Sequence, residues 1–290
     1  MSDAAAETAP ASPWLVSTEW LAAHLDAPDL VVVDGSWHLP TAGRNGRAEY
    51  LAAHIPGAVF FDIDAIADTT RGLPHMLPKP HDFAAAVGAL GIGDGAKIVV
   101  YDGAGLFSAP RVWWTLRAFG AQDVSILDGG FPKWLAEGRP TEDGPGRHRP
   151  ARFTPRVDST LIADMDEVAR TLKEGSAQIV DARPADRFRG EAPEPRPGVR
   201  PGHIPGSRNL PFTEVVKDGT LAAPATIRSA LDAAGIDPER PAITSCGSGV
   251  SAAILWLALD SIGRTPQALY DGSWAEWGSS DRPIATGPAD

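Results

Sequence analysis

Apolar residues along the chain fall into short β-rich runs, each closed by a polar or glycine position, with helical stretches between them. Leu30-Val31-Val32-Val33 ends at Asp34, Ile98-Val99-Val100-Tyr101 at Asp102, and Ser125-Ile126-Leu127 at Asp128-Gly129-Gly130. Runs of this length and composition predict buried strands. Val16-Ser17-Thr18-Glu19-Trp20-Leu21 places a cap residue, Ser17 or Thr18, ahead of a helical pattern, and Arg47-Ala48-Glu49-Tyr50 lies in a polar helix. Strands alternating with helices predict an α/β layer fold.

The second half repeats the order of the first. Gln178-Ile179-Val180-Asp181 answers Val31-Val32-Val33-Asp34, and Gly202-His203-Ile204-Pro205-Gly206 answers Ala53-His54-Ile55-Pro56-Gly57. Gly235-Ile236 answers Gly91-Ile92, and Tyr270-Asp271-Gly272-Ser273 with Trp277 answers Leu127-Asp128-Gly129-Gly130 with Trp134. Four matches in one order, at offsets between 143 and 149 residues, mark duplicated domains, because solenoid units repeat at only about 20–50 residues. The expected division is a first domain over 14–140, an exposed Gly-, Pro- and Arg-rich linker over 141–157, and a second domain over 158–284.

Candidate chemistry concentrates in Thr244-Ser245-Cys246-Gly247-Ser248-Gly249-Val250-Ser251, between the apolar run Pro241-Ala242-Ile243 and the apolar stretch from Ala252 to Leu259. That order reads as strand, tight loop, helix. Cys246 is the only cysteine, which excludes an intramolecular disulfide and a Cys-x-x-Cys pair. Glycines that turn successive N–H groups to one point, beside a helix start, favour a thiolate and hence a nucleophile. The alternative for a lone cysteine is a small buried apolar residue. The offset of 144 that aligns Gly91 with Gly235 aligns Asp102 with Cys246. Thiol chemistry therefore belongs to the second half, and the first supports it.

A formal net charge of −11 with no Lys/Arg cluster excludes nucleic acid or an anionic membrane surface as the main partner. Met1 to Pro13 is Ala-rich, acidic and without Lys or Arg, unlike a signal or transit peptide, and reads as a disordered tail. With no apolar run near the ~20 residues of a membrane helix and one cysteine, a cytoplasmic location is expected. Neither a phosphate- or dinucleotide-binding glycine motif nor a metal-ligand cluster stands out, so no cofactor and no metal is expected.

The paired His-Ile-Pro-Gly segments, the Asp-Gly-Gly and Asp-Gly-Ser turns before Trp134 and Trp277, and the cysteine loop resemble the two-domain rhodanese-type sulfurtransferases, from Trp14 to about Pro283. The resemblance implies two tandem domains, each a mostly parallel sheet flanked by helices, with the site in a cleft at strand ends. It also implies sulfur transfer through a Cys246 persulfide. The Cys246-Gly247-Ser248-Gly249-Val250 loop is similar to that of the family's 3-mercaptopyruvate-using branch. The thiosulfate-using branch places Arg and Lys where Gly247 and Ser248 stand, and Ser251 stands where the family usually has Thr. On the same basis Arg187 and Arg196 match the residues that hold the donor's carboxylate and keto groups, with Gly247, Gly249, Val250 and Ser251 around them. Ser248, His75 and Asp64 match a chain that relays a proton or orients the substrate. The implied acceptor is a thiol such as thioredoxin or a small thiol, or cyanide.

Read without the family, Arg187 and Arg196 are also compatible with solvated surface arginines, His75 with a loop histidine and Asp64 with a helix cap. His54 and His203 recur in both halves and are expected to be structural. Trp113, Trp114, Trp256, Trp274 and Trp277 are expected in core and interface packing. Three other functions compete. A thiosulfate sulfurtransferase differs in donor, and a sulfur carrier or regulatory binding module would keep the fold without catalysis. A cysteine-based phosphatase needs an arginine six positions after the thiol, where Ala252 stands.

Overall fold

The structure, a computed structural model, describes residues 12–146 and 148–289. The tail expectation for Met1 to Pro13 lies outside the described residues up to Ala11. Ser12 is buried, and its carbonyl accepts the Leu15 N–H at 3.1 Å.

In the first half, β1 (Leu15–Val16), β2 (Leu30–Asp34), β3 (Val59–Phe60), β4 (Lys97–Tyr101) and β5 (Asp123–Leu127) form a parallel sheet in the order β1-β5-β4-β2-β3. In the second half, β6 (Ile162–Ala163), β7 (Gln178–Asp181) and β8 (Arg208–Asn209) precede a small hairpin of β9 (Val216–Lys217) and β10 (Thr220–Leu221). With β11 (Ala242–Ser245) and β12 (Ala268–Tyr270) the second parallel sheet has the order β6-β12-β11-β7-β8. Hairpin aside, the two topologies are the same, as a duplication requires. The runs without alternation become the central strands because both sheet faces are covered.

Two strands extend past their apolar runs. β11 continues through Thr244 and Ser245, which pair with Val180 and Asp181. β5 starts at Asp123, paired with Lys97. Ladder pairing, not hydrophobicity, sets these ends.

Each central strand feeds a loop and then a helix, Ala109–Ala118 after β4 and Ala252–Ser261 after β11. These two helices pack on each other, with the Trp114 and Trp256 rings 6.4 Å apart at 57°. Every residue from Ala252 to Leu259 is buried, since this helix has its own sheet on one side and the first domain on the other. One apolar core runs through both halves, and each half has a second cluster of its own.

Each half lends a segment to the other. Leu77 of the first half donates its N–H to Asp271 Oδ2 at 2.8 Å. Leu221, at the equivalent place in the hairpin, faces Asp128. The hairpin turn abuts the Asp102 loop so closely that a Cβ on Gly105 would stand 2.7 Å from Gly219 Cα.

Residues 141–146 and 148–157 lie against the first domain. Glu142 and His54 exchange backbone hydrogen bonds of 2.8 and 2.9 Å, as Ala285 and His203 do in the second half. Trp134 Nε1 donates to Pro140 O and Trp277 Nε1 to Pro283 O, both at 2.8 Å. His54 and His203 are buried, each with Nδ1 2.8 Å from a backbone carbonyl. These repeated motifs fasten the chain as it leaves each domain. The five tryptophans named above are all buried.

Candidate active site

Cys246 follows the end of β11, and the repeated Asp-Gly-Ser turn cradles it. The Cys246 N–H donates to Ser273 Oγ at 3.2 Å, and Ser273 Oγ donates to Tyr270 O at 2.8 Å. The N–H groups of Trp274 and Ala275 donate to Cys246 O and Gly247 O, at 2.9 Å each. Ser273 adopts φ +50° to make this turn, a left-handed conformation that costs a non-glycine residue energy.

The two loop glycines have different reasons. Gly249 has φ +80°, and a Cβ there would stand 2.6 Å from Arg111 Nη1. Gly247 is not left-handed; its Cβ would come within 3.1 Å of Arg187 Nη2. Glycine at 247 admits a guanidinium, whereas glycine at 249 makes the turn.

The N–H groups of Gly247 through Ala252 have no acceptor among the described residues. The first half shows what such a loop holds. Asp102 Oδ1 accepts from the Ala104 N–H, and Oδ2 accepts from Phe107, Ser108 and Ala109, all at 2.8 Å. The aspartate fills its own anion nest. The cysteine loop keeps its donors unpaired.

Cys246 is 1% exposed and lines a cavity of about 60 Å³ between the domains. Trp37, Leu39 and Phe107 come from the first half; Arg183, Pro184, Arg187, Arg196, Phe212, Gly247, Ser248, Val250 and Ser251 come from the second. Of the four loop residues named from the sequence, Gly247, Val250 and Ser251 line the cavity, whereas Gly249 stands behind it, its carbonyl accepting from Arg111.

The three arginines are committed to different degrees. Arg183 is forked onto Asp181, with Nε and Nη2 at 3.0 and 2.7 Å from Oδ2, and its Nη1 donates to Glu194 Oε1 at 2.8 Å. Arg187 Nη2 donates to Glu194 Oε2 at 2.5 Å. Arg196 makes no hydrogen bond or ion pair among the described residues. Burial lowers its pKa from the usual arginine range, and the nearby Cys246 opposes that shift. Arg189 pairs instead with exposed Glu191.

Ser248, His75 and Asp64 come together across the domain boundary. His75 Nδ1 lies 3.0 Å from Ser248 Oγ, and Nε2 lies 3.0 Å from Asp64 Oδ1. Trp37 Nε1 donates to Asp64 Oδ2 at 3.0 Å. The His75 hydrogen bond holds the Asp64 carboxyl below its usual range. Asp64 also stands in the first turn of the helix Ile63–Ile66, whose side-chain cap is Asp62. His75 is buried at φ +60°, a strained conformation of the kind concentrated at functional sites.

The sequence did not mark Arg111, Arg183, Glu194, Trp37 or the apolar lining residues Leu39, Phe107 and Phe212 as site residues, and it marked Asp271 only as part of the repeat. Arg111 Nη2 lies 2.6 Å from both His75 O and Asp271 Oδ1, and Nη1 donates to Gly249 O at 3.4 Å. One buried guanidinium thus joins the strained histidine, the Asp-Gly-Ser turn and the cysteine loop. The repeat singled out Asp271, but gave no sign of Arg111, because the equivalent position is Leu255. On that side Asp128 Oδ1 has no hydrogen-bond partner, and burial pushes its carboxyl up.

Comparison with known proteins agrees with this architecture. The family model for the rhodanese-like domain matches residues 17–137 and 164–280. The 3-mercaptopyruvate sulfurtransferase of Escherichia coli (strain K12) is 44% identical over 93% of this chain and 97% of its own length. A thiosulfate sulfurtransferase of Cricetulus griseus is 42% identical over 91% of each chain. A solved 3-mercaptopyruvate sulfurtransferase from Escherichia coli superposes with a TM-score of 0.84 at 42% identity, covering 90% of this chain and 98% of that one. With both halves matched by the domain model and such identity along nearly its whole length, the chain belongs to the rhodanese family and is a two-domain sulfurtransferase.

Proposed function

We propose that the protein moves the sulfur of 3-mercaptopyruvate through a persulfide on Cys246 to a thiol, such as thioredoxin or a small thiol, or to cyanide, and releases pyruvate. One observation carries this reading: a buried thiol below unpaired loop N–H groups shares a cavity with Arg196, a guanidinium that has no carboxylate of its own.

In the first half-reaction the Cys246 thiolate attacks the donor sulfur. The sulfur–carbon bond breaks toward carbon, giving the enolate of pyruvate, and the outer sulfur stays on Cys246. Arg196 and the free edge of Arg187 hold the carboxylate and the oxygen that gains charge. The enolate takes up a proton, and the Ser248–His75–Asp64 chain carries or orients it. The outer sulfur of a persulfide stands two bonds from Cβ, as an aspartate oxygen does. The nest that Asp102 fills in the first domain is therefore a template for how the second receives that sulfur. An acceptor thiolate then attacks the outer sulfur and returns Cys246 as thiolate.

Donor choice rests on charge. Among cavity arginines, Asp181 and Glu194 neutralise two of three positive charges, and the loop adds no cation at Gly247 or Ser248. The remaining single charge suits a monoanionic oxo acid, whereas the second charge of thiosulfate would lose water without compensation. The relative named for thiosulfate makes that donor the reading to exclude. Exposure to mercaptopyruvate without acceptor should add one sulfur to the intact mass, with one pyruvate released per chain and neither change in Cys246→Ser. A kcat/KM ratio favouring thiosulfate would reverse the donor while leaving the persulfide in place. Sulfur transfer by Cys246→Ser would sink the mechanism.

A further inference from the structure

The cavity lining falls into two unlike groups. One is the cations Arg187 and Arg196; the other is apolar, made of Trp37, Leu39, Phe107 and Phe212, and forms the apolar wall of the cavity. Its rings form a continuous string across the domain boundary. Trp37 meets His75 edge-on at 4.7 Å and stacks with Phe107 at 6.2 Å, and Phe107 meets Phe212 at 5.4 Å. All four wall residues are only partly buried, so they keep surface to offer.

The donor leaves this wall unexplained. A 3-mercapto-2-oxo acid presents a carboxylate and a keto oxygen to the arginines and a sulfur to Cys246, and it has a single methylene. In a two-step transfer, however, the acceptor must reach the same sulfur after pyruvate has left. We infer that the Trp37–Leu39–Phe107–Phe212 wall is an acceptor subsite for small thiols with an uncharged, apolar body. The inference rests on the persulfide reading above. The acceptor thiolate attacks the outer sulfur, a new sulfur–sulfur bond forms to the acceptor, and the bond to Cys246 Sγ breaks with its electron pair left on Sγ. The acceptor departs as its persulfide, with no oxidant consumed. Packing the acceptor's body on the rings removes apolar surface from water and aims its sulfur into the cavity.

The test preforms the persulfide with either donor, verifies it by intact mass, and then mixes it with ethanethiol, propanethiol, butanethiol or cyanide. The rate constant for sulfur removal should rise up to about fourfold with each added methylene, the value of a fully buried methylene. Phe212→Ser and Leu39→Ser should flatten that series and lower the butanethiol-to-cyanide ratio about tenfold. Leu39 lies beside the short 3-10 helix Pro40–Ala42 and outside the sheet core, so its variant keeps the test open if Phe212→Ser does not fold. A flat wild-type series, an unchanged slope in a folded variant, or an equal fall for cyanide and butanethiol would overturn the subsite and leave the persulfide standing. No persulfide from either donor would overturn both.

Discussion

At the scale of single residues, the site separates cations that the protein uses itself from one it leaves to a ligand. Arg183 is bound by Asp181 and Glu194, Arg187 is shared with Glu194, and Arg196 is unpaired among the described residues. Removing Arg196 therefore breaks nothing within the free protein. We expect Arg196→Ala to lose a charge-assisted contact of about 1.5–3 kcal/mol with the donor, a fall of about tenfold or more in kcat/KM for mercaptopyruvate. Its urea midpoint should match wild type. Arg187→Ala should lower kcat/KM too, but with some loss of stability, because buried Glu194 would keep only Arg183. Wild-type kinetics in Arg196→Ala would place that side chain outside the donor site.

At the scale of elements, the interface helix Ala109–Ala118 reaches into the second domain through Arg111. Its guanidinium is 2% exposed and lies 2.6 Å from Asp271. Deleting one partner of a buried ion pair typically costs about 3–5 kcal/mol, whereas replacing both is often neutral. Arg111→Leu should be strongly destabilised, and the double variant Arg111→Leu with Asp271→Asn should regain most of that loss in urea melts. Pyruvate release by the double variant should stay slow, because the carbonyls of His75 and Gly249 no longer share a donor. Recovery of rate together with stability would reduce Arg111 to a staple between domains. Asp128 and Leu255 form the internal control: Leu255 of the second half stands where an arginine would have to be to reach Asp128, so the Asp102 loop lacks this link.

At the scale of the molecule, a shared core cluster joins the two domains, so a buried charge in one domain bears on the stability of both. Asp34 closes β2 by accepting the Ser36 N–H at 2.8 Å, as Asp181 accepts from Arg183, but Asp34 has no arginine. Burial pushes its carboxyl up from the usual 3.8 to about 6. Below about pH 4 the group is protonated in folded and unfolded chains alike, and its burial carries no charge penalty. As pH rises to about 6 the unfolded chain loses the proton first, and stability falls by roughly 3 kcal/mol. Asp34→Asn, which keeps an acceptor for Ser36, removes this dependence. Its stability relative to wild type should increase between pH 4 and pH 7 by about that amount in urea melts. A difference that stays flat across the range would mean Asp34 is not buried as a charge.

The layer fold, the duplication and the strand–loop–helix setting of Cys246 were legible in the chain, because each is written locally. Strands covered on both faces leave unbroken apolar runs, and a copied domain leaves the same short motifs in the same order at nearly one offset. Ser248, His75, Asp64, Arg187 and Arg196 were named through resemblance; for the last four the physics of their segments alone also allowed surface, loop or capping roles. Contacts between distant positions remained for the tertiary structure to decide. His75 meets Ser248 across 173 residues and Arg111 meets Asp271 across 160, and no local periodicity records such pairs. Which arginine is free likewise depends on where Glu194 lies, and the apolar wall exists only where the two domains face each other.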